Sequence, residues 1–169
     1  PTIRVEGGGN ATTVSTCFGG PVTLTATGCA PGSYVTWSNG EVGSQLTVRP
    51  SAGLTLSARC CTSANCKSSP SNAIAVTVQP KVAQPVVTDK TNVCPATTVD
   101  LTTAVSGKPG TTGGSFVFYS TEQPTEAGLV AKPRAVPGGT YYVVEKTTGG
   151  CYSLPVLVHA HVVACTPAA

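Results

Sequence analysis

The sequence repeats itself once, and this internal similarity constrains the fold more than any other feature. The corresponding segments are residues 14–25 with 91–102, and residues 65–78 with 150–162. Each repeat is about 80 to 85 residues long, which is enough for one small domain. We therefore predict two tandem domains, residues 1–80 and 81–169, joined near Gln79–Pro85.

The first repeat alternates between apolar and polar residues. Val22, Leu24 and Ala26 would point to one side of a strand, and the threonines between them would point to the other. This period of two predicts half-buried antiparallel strands. Glycine and proline interrupt such runs at short intervals, as in a β-sandwich, and Trp37 is predicted to be the large core residue on a central strand.

The second repeat shows the same pattern with less regularity. Phe116 and Phe118 begin it, and Tyr141, Val143 and Glu145 are predicted to face away from Tyr142, Val144 and Lys146. A last strand is predicted to continue from Val156 to Val162, whereas residues 121–137 are predicted to hold loops and short edge strands. The predicted fold class is all-β, with two tandem antiparallel β-sandwiches stapled by disulfides, and a resemblance to Ig-like modules implies that the sandwiches are Ig-like.

The charge and hydropathy of the chain exclude two classes of partner. Charged residues make up 10% of the sequence, with 10 basic against 7 acidic, so there is no basic surface for nucleic-acid phosphates. No apolar run approaches the roughly 18 to 20 residues of a membrane span. The first residues lack the pattern of a signal peptide, so a secreted protein with this sequence is expected to be a mature or excised form.

Eight cysteines in 169 residues indicate disulfides and an oxidising, extracellular environment. No pair has the C-x-x-C spacing typical of zinc sites. The first domain would contain Cys17, Cys29, Cys60, Cys61 and Cys66, and the second Cys94, Cys151 and Cys165. Because both numbers are odd, complete oxidation requires a bridge between the domains or between molecules.

Two pairing schemes are compatible with the repeat. The first follows the equivalent positions and gives Cys17–Cys66, Cys29–Cys60 and Cys94–Cys151. It leaves Cys61 and Cys165, which could link molecules head to tail. The second assumes the strand order of an Ig-like domain, which a resemblance of the first repeat to Ig-like modules implies. It pairs Cys29 within the group of Cys60, Cys61 and Cys66, Cys94 with Cys165, and Cys17 with Cys151. The repeat slightly favours the first scheme, and both give the cysteines a structural role.

No arrangement of residues indicates an enzyme or a cofactor. His159 and His161 lie two apart on a predicted strand, where they would form half of a metal site without a third ligand, so a solvent-facing strand is the preferred interpretation. Neither aspartate lies in a nucleophile motif. The glutamates considered as acid pairs are scattered: Glu41, Glu122, Glu126 and Glu145.

The tyrosines and the glycine-rich segments also have alternative interpretations. Five tyrosines could stack on sugars, although strand tyrosines more often pack half-buried. Gly7–Gly9 and Gly107–Gly110 are interpreted as flexible connectors, because neither has the sequence of a phosphate-binding loop.

The N-terminal segment is a candidate for strand exchange. Its residues, Thr2, Ile3, Arg4, Val5 and Glu6, alternate like a strand and precede three glycines and Asn10. A strand on such a linker can complete its own sheet or add to a neighbour's sheet. The alternative is an ordinary first strand of the same domain.

The first repeat resembles the Ig-like modules of Bacteroidota cell-surface and type IX-secreted proteins. The resemblance lies in Cys17, Val22–Cys29, Val35–Gly40 and the residues that follow them up to Val78. The second repeat resembles companion modules of such proteins through Cys94-Pro95, Asp100–Thr102, Gly139–Tyr142 and Gly150-Cys151. The resemblance implies a non-catalytic extracellular building block, and it carries over no catalytic residue.

Together these observations predict a structural or adhesive element of a bacterial cell surface, with a carbohydrate-binding module as the alternative. The expected partners are further copies of the chain, neighbouring modules and surface polysaccharide. A fibre formed by strand exchange or by intermolecular disulfides is the more specific hypothesis.

Overall fold

The structure is a computed structural model that describes residues 1–9, 11–62, 68–111 and 113–165. The chain divides into two compact units, Pro1–Pro80 and Lys81–Ala169. The described residues form short β-strands and two short 3₁₀ turns, so the all-β prediction is confirmed.

Unit 1 is built from short strands in three hydrogen-bonded groups. They are β1 (Thr2–Val5), β2 (Thr13–Thr16), β3 (Val22–Thr27), β4 (Tyr34–Trp37), β5 (Gln45–Val48), β6 (Leu54–Leu56), β7 (Ala58–Cys61) and β8 (Ile74–Val78). The hydrogen-bonded orders are β1-β3-β5, β2-β8-β6 and β4-β7. Only Ser57 separates β6 from β7, so one run of chain pairs first with β8 and then with β4. Strand β2 runs parallel to β8, and the other pairs are antiparallel.

The core of unit 1 follows the predicted alternation. Val22, Leu24 and Ala26 are buried on β3. Trp37 is 2% exposed and lies opposite the small Ala58, which leaves room for the indole ring. Its Nε1 donates a hydrogen bond to the carbonyl of Gly43 at 2.7 Å, which satisfies the polar atom of this buried side chain.

Unit 2 has a larger sheet and a smaller one. Its strands are β9 (Val86–Val87), β10 (Lys90–Thr91), β11 (Val105–Ser106), β12 (Ser115–Tyr119), β13 (Gly139–Lys146) and β14 (Val156–His161). The orders are β10-β14-β13-β12 and β11-β9, and β10 runs parallel to β14. The 3₁₀ turns cover Leu101–Ala104 and Glu126–Gly128.

The second unit departs from the predicted alternation at two positions. Val143 and Val144 were predicted to face opposite sides of the strand, yet both are buried, as is the neighbouring Glu145. The last strand ends at His161, and Val162 is 40% exposed beyond it. In both cases the burial of the side chain depends on neighbouring strands and loops, which the alternation of residues along one strand does not reveal.

Disulfides tie together distant parts of each unit. Cys29, just after β3, is bonded to Cys60 on β7, and Cys94 is bonded to Cys165. The first pairing scheme is therefore correct for Cys29–Cys60 and wrong for Cys94 and Cys165, whereas the second scheme is compatible with both bonds. Cys94 follows β10 and Cys165 follows β14. The two cysteines come close together because β10 and β14 are neighbouring parallel strands in one sheet.

The remaining cysteines bear on the intermolecular hypothesis. Cys17, Cys61 and Cys151 are also disulfide-bonded, and no described cysteine is free. Cys66 lies outside the described residues. A head-to-tail link between Cys61 and Cys165 is wrong, because the Cys165 sulfur is already bonded to Cys94.

Candidate functional site

The candidate site is the first strand of unit 1 together with the groove that it fills, which we define as the space between β3 and Asn72. In the single chain β1 pairs antiparallel with β3, from Thr2 opposite Thr27 to Val5 opposite Leu24. The pairing continues for one more hydrogen bond, from the Glu6 N–H to the carbonyl of Thr23 at 3.0 Å. In this structure the segment predicted to exchange is thus an ordinary strand that pairs within its own chain.

The two apolar residues of β1 complete the core of unit 1. Ile3 is 1% exposed and Val5 is 8% exposed, whereas Arg4 between them faces solvent. Ile3 lies opposite Ala26 and Val5 opposite Leu24, and all four belong to one apolar cluster. Without β1, this part of the cluster would lose its cover.

The outer edge of β1 is held by an asparagine side chain. Asn72 accepts a hydrogen bond from the Ile3 N–H at 2.9 Å and donates one to the Ile3 carbonyl at 3.0 Å. Its amide thereby makes both bonds that a neighbouring strand would make to Ile3. Sequence analysis did not identify this residue, because Asn72 is 69 positions from Ile3 and the chain carries no local signal for the contact.

A turn that contains glycines leads from β1 towards β2, which belongs to the sheet β2-β8-β6. Gly7 and Gly9 have φ values of 74° and 61°, which favour glycine, and Gly9 forms a β-bridge with Val5. A Cβ at Gly8 would lie 3.0 Å from the Cβ of Val5. In this structure Gly7–Gly9 therefore forms a defined turn, whereas the sequence predicted a flexible connector. Asn10 lies outside the described residues.

Four glutamates that are scattered along the sequence differ in their exposure. Glu41, Glu122 and Glu126 are exposed, whereas Glu145 on β13 is 2% exposed. The Glu145 carboxylate accepts hydrogen bonds from the N–H of Gly110 at 2.9 Å, from the N–H of Thr111 at 2.9 Å and from the Thr111 hydroxyl. It holds the loop after β11, part of which the sequence predicted to be flexible.

The acidity of Glu145 follows from these contacts. Burial raises the pKa of its carboxyl, and the hydrogen bonds from Thr111 and Gly110 outweigh burial, so the pKa lies below its usual value. The group is therefore ionised at neutral pH. Its bonds are those of a structural anchor for a loop.

Tyr119 on β12 and Tyr142 on β13 alternate with the core residues of unit 2, and Tyr152 is bridged to Lys146 at the end of β13. Tyr119 is only 5% exposed. Tyr119 lies opposite Tyr142 in the strand pair, and its hydroxyl is hydrogen-bonded to that of Tyr152. Burial first, and then Tyr152, raise the pKa of Tyr119. Tyr152 is 39% exposed, and the Nζ of Lys146 lies 5.4 Å from the centre of its ring.

The other two tyrosines lie elsewhere. Tyr34 is exposed on β4 of unit 1. Tyr141 is in the core of unit 2, with its hydroxyl donating to the Pro137 carbonyl at 3.1 Å, and burial raises its pKa.

Comparisons with known proteins give one distant likeness. The chain matches 23 chains of solved structures, one of which is described as "Drosophila OTK, extracellular domains 3-5". That chain is 16% identical, the match covers 91% of this chain and 63% of that one, and the TM-score is 0.31. This chain therefore spans less than two thirds of the length of that neighbour, and a TM-score this low supports no argument about fold or function.

No family model matches the chain, and no curated protein matches it. Among the described residues, no helix has the length and apolar character needed to cross a membrane. The fold assignment rests on the strands and disulfides of the chain itself.

Proposed function

We propose that this chain is a non-catalytic extracellular element of a bacterial cell surface, structural or adhesive, whose copies assemble by exchanging β1. The disulfides support an extracellular location, since such bonds persist in oxidising compartments. The bacterial surface is proposed from the resemblance of the first repeat to Bacteroidota surface modules. The observation that carries the assembly is that Ile3 and Val5 are buried on the first strand of unit 1, which a glycine-containing turn follows.

Exchange would replace each contact of β1 by the same contact from another copy. Burial of one Ile or Val side chain contributes about 1.5 to 3 kcal/mol, so the two anchors together contribute about 3 to 6 kcal/mol. That is a large share of the 5 to 15 kcal/mol typical of a whole domain. An empty groove is therefore strongly unfavourable, and a second copy's β1 fills it as well as the chain's own strand does.

The linker is long enough to bridge between copies. Residues 6–12 separate β1 from β2, and at about 3.3 to 3.6 Å per extended residue they span about 25 Å. Gly7 and Gly9 can leave their positive-φ conformations without steric cost, since glycine tolerates both regions. The turn can thus open into the extended connection that exchange requires.

The exchange would propagate because the donor strand and the acceptor groove are different surfaces. A head-to-tail contact of this kind forms a filament unless its rotation closes a ring. Each copy in such a filament would be held by an apolar strand and by Asn72. This mode of assembly needs no intermolecular disulfide.

The test compares two neighbouring substitutions on β1 in the full chain. Ile3→Asp places a charge in the core position, whereas Arg4→Asp places the same charge on the exposed side. Unfolded protein is refolded under oxidising conditions at low and high concentration, and its size is measured by light scattering after gel filtration. We expect concentration-dependent polymers from the native chain and from Arg4→Asp, and none from Ile3→Asp. A native chain that remains monomeric at every concentration would refute the proposed assembly.

One arrangement favours a second function, the binding of surface carbohydrate. Tyr142 and Tyr152 lie beside the buried Tyr119 on one side of unit 2, and their rings are the candidates for stacking on sugar rings. The test is binding to insoluble polysaccharides by Tyr142→Ala and Tyr152→Ala, with Tyr34→Ala in unit 1 as the matched control. Loss of binding only in the first two variants would support this function. Equal binding by all three would exclude this face as the site.

A further inference from the structure

The two histidines of the chain lie side by side on the last strand of unit 2. His159 and His161 are on β14, with their ring centres 6.0 Å apart. Alternate residues of a strand project to the same side, so both imidazoles face away from the core that contains Val158 and Ala160. The sequence indicated this much and offered no third ligand.

The structure brings a carboxylate to the same place. Asp89 immediately precedes β10, which runs parallel to β14. Its Oδ1 accepts a hydrogen bond from the backbone N–H of His159 at 2.8 Å, which fixes the carboxylate against β14. Its Oδ2 lies 3.9 Å from Nε2 of His161. The side chains of His161 and Asp89 are 58% and 50% exposed, so a solvated ion can reach them.

A threonine on the other neighbouring strand completes the surroundings. Thr140 on β13 lies opposite His159, and its Oγ1 is 3.3 Å from Nδ1 of that ring. With Nδ1–H donating to this hydroxyl, the lone pair of Nε2 is available for a ligand. Histidines that bind metals usually have such a hydrogen bond from the second ring nitrogen.

A shared metal ion requires these side chains to rotate from their present positions. An ion about 2.0 to 2.1 Å from a ring nitrogen lies about 3.2 Å from the ring centre, so two rings on one ion have centres about 5 to 6 Å apart. The 6.0 Å separation is at the upper end of this range. As they stand, no three His, Cys, Asp or Glu side chains among the described residues are placed to hold a metal ion. To bind one ion, Oδ2 and Nε2 must approach from 3.9 Å to about 3.3 Å, the separation of two ligands on a tetrahedral ion.

We propose that His159, His161 and Asp89 form a binding site for a divalent transition-metal ion, with a position left open for water or a partner's ligand. Imidazole with one carboxylate suits Zn²⁺ and Cu²⁺. The site is independent of β1, since all its residues belong to unit 2. Metal binding at this site would be a property separate from strand exchange and from the binding of carbohydrate by the tyrosines.

The test is a Zn²⁺ titration of the full-length chain, followed by the NMR signals of its two histidines. We expect both signals to move together and saturate at one equivalent. Asp89→Asn keeps an oxygen for the His159 N–H but removes the charge, and His161→Asn removes a ligand. Both variants are expected to weaken binding at least about 10-fold, and Thr140→Val about 10-fold through the orientation of His159.

Glu126→Gln, which removes an exposed carboxylate elsewhere in the same unit, is the matched control and should bind like the native chain. Unchanged unfolding midpoints of the metal-free variants would show that the fold is intact. The proposal fails if neither histidine signal moves up to about 1 mM Zn²⁺, the limit of weak specific binding. It also fails if only one signal moves or if Asp89→Asn binds as tightly as the native chain.

Discussion

The two units begin in different ways, and the difference indicates which of them can release its first strand. Unit 1 begins with four residues of β1, which bury Ile3 and Val5 and are held by hydrogen bonds and apolar contact. Unit 2 begins with β9 and β10, each two residues long, and Val86 on β9 is 67% exposed. The first strand of unit 1 thus has the larger apolar anchor.

The covalent restraint is distributed the other way. Residues 1–6 contain no cysteine, whereas Cys94, three residues beyond β10, is bonded to Cys165. In addition, the Asn92 side chain accepts from the Val163 N–H at 2.7 Å and donates to the Val163 carbonyl at 3.0 Å. The start of unit 2 is therefore fastened by a bond that thermal motion does not break, and the start of unit 1 is fastened only by contacts that another copy can reproduce.

Removal of the covalent restraint should produce the largest effect on stability. Replacement of Cys94 and Cys165 together by alanine opens a bridge across 71 positions, which in the chain-entropy model contributes about 4.4 kcal/mol. We expect the free energy of unfolding to fall by about that amount in urea titrations followed by circular dichroism. The Cys29 and Cys60 double variant, with a separation of 31, should lose about 3.7 kcal/mol. A native-like midpoint in the first variant would contradict a role for this bridge in fastening unit 2.

The apolar anchor of β1 should come next. Ile3→Ala is expected to lower the free energy of unfolding by about 2 to 5 kcal/mol, because it removes a buried side chain and leaves a cavity. Arg4→Ala is the matched control and should cost less than about 0.5 kcal/mol. Trp37, the single tryptophan, reports this transition by fluorescence from within unit 1. Equal losses in both variants would mean that Ile3 does not anchor the strand.

The asparagine at the edge of β1 should have a smaller effect. Asn72→Ala removes two hydrogen bonds to the Ile3 backbone, each of which contributes about 0.5 to 1.5 kcal/mol. We expect a loss of about 1 to 3 kcal/mol and faster hydrogen exchange at the Ile3 amide. If that amide stays as protected as in the native chain, Asn72 does not hold the edge.

The smallest effect should come from protonation of Glu145, which would loosen the loop that contains Gly110 and Thr111. Glu145 has a lower pKa in the folded chain than in the unfolded one, where it is about 4.3. Its contribution to stability is therefore complete above the unfolded value and is lost as the pH falls through the folded pKa.

Hydrogen exchange checks this dependence. The amides of Gly110 and Thr111, which donate to Glu145, should lose protection relative to the Ser153 amide, which donates to the Glu145 backbone carbonyl. Because exchange itself varies with pH, the ratio of the protection factors is the quantity compared. A constant ratio down to about pH 2, far below an ordinary glutamate pKa, would contradict the role of the carboxylate.

The sequence predicted those parts of the molecule that depend on local pattern. Alternation at Val22, Leu24 and Ala26 predicted β3, and the position of Trp37 among β-branched residues predicted a core tryptophan. These features need only the period of a strand and the preference of apolar residues for the core. The candidate segment on β1 could be found in the same way.

Contacts between residues far apart in sequence were not predictable. Asn72 meets Ile3, and Asp89 meets His159, across 69 and 70 positions. The pairing of Cys94 depends on the parallel neighbours β10 and β14, which no local pattern reveals. Glu145 looked like an ordinary strand residue because its partners lie in a loop 34 and 35 positions away.

The central claim is that one copy's β1 fills the groove of another. The most direct test is sedimentation of the full-length chain, oxidised and at high concentration, with and without an excess of a free peptide of residues 1–6. We predict polymers that the peptide shortens, because it occupies the groove at growing ends, and no shortening by the same peptide with Ile3→Asp. A single 16.9 kDa species under all conditions, or polymers whose length neither peptide changes, would contradict the claim.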